Sequence, residues 1–247
     1  MSEQTIKTKA IVVRVSKSGE SDSMLTLLSP DMGRLTVLAK GARSLRHKSR
    51  GSAQPLCYSS FVLKRLREDF YTLVSAEIIE PFSPLAENIE ALSYGIYFAA
   101  LCTMCTQGSD CAAEISLLLN SLYVLSRKPE NAPVIKAAYE IKLCALCGIM
   151  PDFTPDCPCG SGGAFFSVSN GEVRCALHRE DGVPISPAAL RLACYISEST
   201  LKDALYASSP SDAAFSLWRV TEEFLSYHLG KLPDSLSYLH SIIMPRR

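Results

Sequence analysis

No stretch of this chain approaches the roughly 18 consecutive apolar residues of a membrane span. Its opening, Met1-Ser-Glu-Gln-Thr-Ile-Lys7, holds no apolar signal region, so a cytoplasmic location is expected. Histidine is scarce, with only His47, His178, His228 and His240. None of them begins the His-x-Glu that zinc-dependent nucleobase deaminases place before Pro-Cys-x-x-Cys. The chain has no Gly-x-x-x-x-Gly-Lys-[Ser/Thr] phosphate loop and no Gly-x-Ser-x-Gly elbow. No carboxylate stands out as a general base. These absences argue against an enzyme. Internal repeats and low-complexity segments are missing too. One further absence is local: between Asp31 and Glu68 there is no acidic residue at all.

Inside that acid-free stretch, residues 32–67, stand nine cations: Arg34, Lys40, Arg43, Arg46, Lys48, Arg50, Lys64, Arg65 and Arg67. The whole chain is neutral, with 25 basic and 25 acidic side chains. Its acids lie elsewhere, twelve of them against four bases in residues 68–160. A neutral protein with one uncompensated basic segment concentrates its positive field there, the usual footprint of a phosphate-backbone partner. The plainer alternative is a solvated surface without a partner. The cations alternate with strand-forming residues, which lets them share a folded face.

The composition, 47% hydrophobic and 20% charged, is that of a core-forming globular protein. Ala10–Val15, Met24–Leu28, Arg34–Ala39, Phe61–Leu66 and Phe70–Ser75 read as short strands, with a Ser-, Gly- and Arg-rich loop from Lys40 to Gln54. Five strands with one long loop after the third suit an OB-type barrel, although an SH3-like barrel has a similar pattern. OB barrels hold single strands with basic grooves and aromatic platforms. The candidate platforms are Tyr58, Phe61, Phe70 and Tyr71, with Tyr71 foremost. After the linker Pro81-Phe-Ser-Pro84 the spacing turns helical. Helices are expected through Ile89–Ala100, Ile115–Leu125 and Pro133–Cys147, then from Pro187 and from the pair Ser209-Pro210. The expected architecture is α+β and multidomain. It comprises a five-stranded OB-type domain at 1–80 and a mainly helical domain at 81–247, with a zinc-ribbon-like insertion at about 151–182.

The ten cysteines fall into two kinds. Cys102–Cys105 and Cys144–Cys147 sit in apolar helical runs, where residues three apart share a face and a thiol behaves as a small apolar group. Cys157-Pro-Cys159-Gly-Ser-Gly-Gly163 differs, because turn residues surround its thiols. Cys175-Ala-Leu-His178 follows across a hairpin that turns at Ser169-Asn170-Gly171. Zn²⁺ favours four soft ligands in a closed tetrahedron, so Cys157, Cys159, Cys175 and His178 are the expected ligands of one structural ion.

Further signatures are Ser18-Gly-Glu-Ser-Asp22, Gly33-Arg-Leu35, Lys40-Gly-Ala-Arg43, Tyr139-Glu-Ile-Lys-Leu143 and Gly148-Ile-Met-Pro-Asp-Phe153. With Cys159-Gly160, Cys175–His178, His228-Leu-Gly-Lys231, Ser235-Leu236 and Leu239, their order and spacing resemble the bacterial RecO family of recombination mediators along nearly the whole chain. The resemblance implies an OB-fold, a helical domain and a zinc element. It also implies binding to single- and double-stranded DNA, annealing of complementary strands, and help from RecR in loading RecA onto strands coated with single-strand-binding protein. In the cell such a protein would sit with the nucleoid. The first knuckle departs from the family pattern: it is Cys-x-Cys where Cys-x-x-Cys is expected, with Asp156 at the offset of the missing thiol. Two other readings compete. One is a protein–protein adaptor with weak DNA contact, and the other is a zinc hydrolase with an open coordination position.

Overall fold

Strict alternation builds the first domain. In β3 (Gly33–Ala39) Leu35, Val37 and Ala39 are buried, while Arg34, Thr36 and Leu38 face outward. That period of two puts one set of side chains inside a curved sheet and the other on its surface. The computed structural model describes residues 5–44, 48–67, 69–106, 108–157, 159–180 and 182–243. The chain divides into two compact units, residues 1–118 and 119–247.

In the first unit β1 (Thr5–Ser18), β2 (Asp22–Ser29), β3, β4 (Tyr58–Arg67) and β5 (Phe70–Glu80) close into a barrel of order β1-β2-β3-β5-β4. This is the expected OB-like barrel. β1 is long and irregular between Val12 and Arg14, so its first half pairs with β4 and its second half with β2. Such an irregularity bends a strand around a barrel corner. All neighbours are antiparallel except β3 and β5, which run parallel through Thr36↔Phe70, Val37↔Tyr71 and Leu38↔Thr72. The interior holds Val12, Leu25, Leu27, Leu35, Val37, Phe61, Leu63 and Tyr71. Ala42 and Ala53, from the long loop between β3 and β4, join the same cluster. Deleting an aromatic from such a core costs about 3–5 kcal/mol.

Beyond the barrel come α1 (Ser83–Ala86), α2 (Ile89–Cys105) and α3 (Ala112–Arg127). The Asn88 side chain accepts from the Ala91 N–H and caps α2. The turn before β3 is pinned to the loop before α3. Cys111 donates its N–H to the Pro30 carbonyl at 3.2 Å and its thiol to that of Ser29 at 3.2 Å. Gly33, at φ +65°, meets Gly108 so closely that a Cβ would stand 2.1 Å from the Gly108 carbonyl oxygen. Only glycine fits both the angle and the approach.

In the second unit α4 (Ala132–Leu146) packs against α5 (Pro187–Glu198), α6 (Leu201–Leu205) and α7 (Ser211–Leu229). α8 (Asp234–Ile243) follows. α4 ends as the sequence suggests, with Gly148 at φ +73° and the Ile149 N–H bonded to the Cys144 carbonyl. At α7 the cap differs from expectation. Pro210 itself is the N-cap and Ser209 lies outside, so no side chain closes that end. Within α4 the fully buried Lys136 lies 2.7 Å from both Glu140 and Glu222, with its ammonium 4.5 Å from the centre of the Trp218 ring. Thr221 donates to Glu140 at 2.6 Å, and His240 lies 3.0 Å from Glu222. Between α4 and α5, β6 (Phe165–Ser167), β7 (Glu172–Arg174) and β8 (Val183–Pro184) form a small sheet of order β7-β6-β8. Phe166 stacks on Phe153 and meets Phe224 of α7 edge-on, which fastens this sheet to the helices. No described helix is long and apolar enough to cross a membrane.

Candidate nucleic-acid face and metal centre

Register decides which cations meet. Arg34 lies on the outer row of β3 with Thr36 and Leu38, and Lys40 follows the strand. Thr36 stands beside Phe70 of β5, and Phe70 stands beside Arg67 of β4. The Arg67 guanidinium lies 5.0 Å from the centre of the Phe70 ring. Leu38 stands beside Thr72, and Thr72 beside Lys64. The outer surface of β3, β5 and β4 therefore carries Arg34, Lys40, Lys64 and Arg67 around a half-exposed Phe70. Arg65 pairs with Tyr71 in register and is exposed where β4 turns into β5.

The remaining candidates go elsewhere. Arg43 donates through Nη1 to the carbonyls of Gly19 (3.3 Å) and Glu20 (2.7 Å), tying the long loop to the turn between β1 and β2. Lys48 and Arg50 are exposed on the second half of that loop. There Gly51 sits against Ile78, on the far part of β5. At about 3.3 Å per residue, Ile78 is roughly 20 Å along the strand from Tyr71. Arg46 lies outside the described residues. The far half of β5 carries Glu77 and Glu80, Glu87 caps α1 and Glu90 lies at the start of α2, so the first unit is polarised, not uniformly basic.

Tyr71 is not a platform. It is 3% exposed and belongs to the barrel interior. Successive strand residues face opposite sides, and the register puts Phe70 outside with Thr36. Phe61 is likewise fully buried, and Tyr58 is half-buried.

The candidate metal centre is assembled by two knuckles. The first folds back on itself: the Cys157 N–H bonds to the Ser161 carbonyl, and the Gly160 N–H, at φ +84°, bonds to the Cys157 carbonyl. Gly163 lies where a Cβ would strike Val173, so the knuckle packs directly on the hairpin. The second knuckle closes through the His178 N–H and the Cys175 carbonyl. His178 Nδ1 lies 3.3 Å from the Cys175 sulfur and 3.6 Å from that of Cys157, and the Cys159 and Cys175 sulfurs are 3.8 Å apart. All four ligand atoms fall within 4.8 Å of one another. A tetrahedron with Zn–S of about 2.3 Å and Zn–N of about 2.0 Å has edges near 3.6–3.8 Å. The cluster can hold one such ion.

The electrostatics of the four groups are divided, two thiols being lowered and the other thiol and the imidazole raised. Backbone N–H groups of Cys159 and Cys175 lower the Cys157 thiol to about 6. Hydrogen bonds from Ser161 lower Cys159, whereas desolvation raises Cys175. The neighbouring Cys157 and Cys159 sulfurs raise His178. Asp156 is exposed and is not one of the four clustered groups. The helical pairs Cys102–Cys105 and Cys144–Cys147 join no third ligand among the described residues, and burial raises Cys144 strongly. The sequence reading missed the buried Lys136–Glu140–Glu222 cluster, since its parts lie up to 86 residues apart.

Comparison with known proteins places these features in one lineage. Residues 1–82 match the family profile described as recombination protein O, N terminal, and residues 86–237 match its C-terminal counterpart. A "DNA repair protein RecO" of Acetivibrio thermocellus is 28% identical over 245 residues, covering 96% of this chain and 97% of the relative. The protein of the same name from Desulforudis audaxviator is 30% identical over 243 residues, covering 96% of each. That of Pelotomaculum thermopropionicum is 35% identical over 175 residues, covering 69% and 67%. The chain belongs to the recombination protein O family.

Proposed function

We propose that this chain is a non-enzymatic recombination mediator of DNA repair. It grips single- and double-stranded DNA on the outer face of β3, β5 and β4. By neutralising phosphate charge there it lets complementary strands approach and anneal. With RecR it helps load RecA onto strands coated with single-strand-binding protein, in the cytoplasm and at the nucleoid. One observation carries this reading: strand register gathers Arg34, Lys40, Lys64 and Arg67 around the half-exposed Phe70. Cations supply sequence-independent affinity by releasing counterions, and an aromatic supplies a stacking platform for unpaired bases. Lys48, Arg50 and Arg65 lie beyond this cluster and extend the contact with a longer duplex, while Arg43 chiefly holds the loop.

Cys157, Cys159, Cys175 and His178 bind one structural zinc. With four protein ligands the coordination shell is complete, so the ion supports the fold and takes no part in chemistry.

The test is a fluorescence titration with single-stranded DNA across salt concentrations. Four phosphate contacts give a log–log slope of about −2.8, at roughly 0.7 per contact on a single strand. Arg34→Ala combined with Arg67→Ala is expected to lower the slope by about 1.4 and to weaken every sequence alike. An unchanged slope and affinity would remove the assignment.

A further inference from the structure

Arg34 opens onto a cleft of about 650 Å³ that the phosphate face does not use. Met32 and Arg34 line it from the barrel, Asp69 from the turn between β4 and β5, and Thr103, Met104 and Ser109 from the end of α2 and the loop beyond. Its volume falls in the range of small-ligand sites. Its walls are held in place, because the Cys111 bonds to Ser29 and Pro30 and the Gly33–Gly108 approach join its two sides. It is therefore preformed.

The lining has a definite polarity. Asp69 accepts only. Thr103 already donates its hydroxyl hydrogen to the Ala99 carbonyl at 2.7 Å, so its oxygen is left to accept. The end of α2 adds the negative pole of a helix. Arg34 is the one cation among the described residues that line the cleft. Neither Arg34 nor Asp69 makes a side-chain hydrogen bond or ion pair with another described residue. The cleft thus asks for a group with donors on one edge and acceptors on another. Met32 and Met104 add polarizable thioethers, which favour aromatic rings.

The cleft also lies next to the platform. Asp69 immediately precedes Phe70, and its carbonyl accepts the Thr36 N–H at 3.0 Å. The cleft lining thus begins at the residue before the outward-facing aromatic.

We propose that this cleft seats one guanine turned out of a single strand that lies on the β3–β5–β4 face, an assignment that rests on the functional reading above. Guanine offers N1–H and N2–H donors to Asp69 and the Thr103 oxygen, and O6 and N7 acceptors to Arg34, which at this one base exchanges its phosphate contact for the pairing arginine makes most often with guanine. Thymine offers that wall a single donor, N3–H, flanked by two carbonyls, and has no N7 for Arg34, so it pairs less well. The barrel then reads a strand unevenly: phosphates everywhere, and one base at this point.

The experiment compares two labelled strands of about 15 nucleotides, long enough for one barrel. One is oligothymidylate and the other is the same strand with a single central dG. Anisotropy titration of the full chain is expected to show the dG strand bound about 5- to 10-fold more tightly. Asp69→Asn should erase that ratio. Asparagine tolerates the φ of +52° at this position, so the fold is kept. Met104→Trp, which fills the cleft from a half-exposed helix position, should erase it as well while oligothymidylate binding persists. Equal affinity of wild type for the two strands, or a ratio that survives in Asp69→Asn, overturns the proposal and leaves the functional reading standing. A protein that binds neither strand in dilute salt overturns both.

Discussion

Lys136→Met is the sharpest probe of the second unit. The side chain is fully buried, and its ammonium lies 2.7 Å from Glu140 and 2.7 Å from Glu222. Methionine keeps the length and removes the charge. Glu140, also fully buried, then retains only the Thr221 hydroxyl at 2.6 Å among the partners described above. Breaking a buried pair from one side costs about 3–5 kcal/mol, because a buried charge is left uncompensated. Losing the ammonium from the Trp218 face adds about 1 kcal/mol. The loss also depends on pH. Burial already holds the Glu140 carboxyl above its ordinary value, against the pull of Lys136. Without Lys136 it rises further. A carboxyl whose folded pKa exceeds its unfolded one stabilises the fold fully below the unfolded value, and that contribution is lost as pH rises through the folded value. The deficit of the variant should therefore be small in acid and grow toward neutrality, by at most about 1.4 kcal/mol per pH unit for one proton. Urea unfolding followed by far-ultraviolet circular dichroism, repeated across pH, measures it. Adding Glu140→Leu should recover most of the loss. A deficit below about 1 kcal/mol, or one that does not change with pH, would refute the reasoning.

Other consequences are open to direct measurement. Phe70→Ala should weaken single-stranded DNA binding by about 1–3 kcal/mol while leaving the salt slope unchanged. Tyr71→Ala, one residue on, should instead lower unfolding stability by about 3–5 kcal/mol, which denaturant melts would separate from binding. Gly33→Ala should destabilise the first unit, since its Cβ cannot coexist with the Gly108 carbonyl. Metal analysis is expected to find one zinc per chain, absent in Cys175→Ser, with a lower melting temperature because structural zinc is coupled to folding. Zinc uptake should release protons from the thiols and from His178, whose proton the neighbouring sulfurs hold, with Cys157 contributing mainly below about pH 6. Calorimetry in buffers of different ionisation enthalpy counts those protons, and the release should grow as the pH falls below about 6.

Local pattern carried much of this structure, and pairing at a distance carried the rest. The five strands were readable because alternation is a neighbour-to-neighbour signal. The Cys157–Cys159–Cys175–His178 cluster was readable because turn residues surround Cys157 and Cys159 and a histidine follows Cys175 at knuckle spacing. The outward-facing aromatic was misjudged by one position, since its side is set by the parallel pairing of β5 with a strand more than 30 residues earlier. The cations suffered from the same limit. Arg34 and Arg67 are far apart in sequence and share a face through Phe70, whereas Arg43 and Arg50 lie close in sequence and face different tasks. Lys136 and Glu140 look like an ordinary surface pair at helical spacing. Only Glu222, from another helix, explains why they can be buried.

Among the described residues the barrel closes through just three residue pairs between β3 and β5. A cask parts first at its shortest seam, and here that seam runs beneath the basic face. DNA laid across it would act as a hoop, so amide hydrogens of Thr36–Leu38 and Phe70–Thr72 should exchange more slowly once a strand is bound.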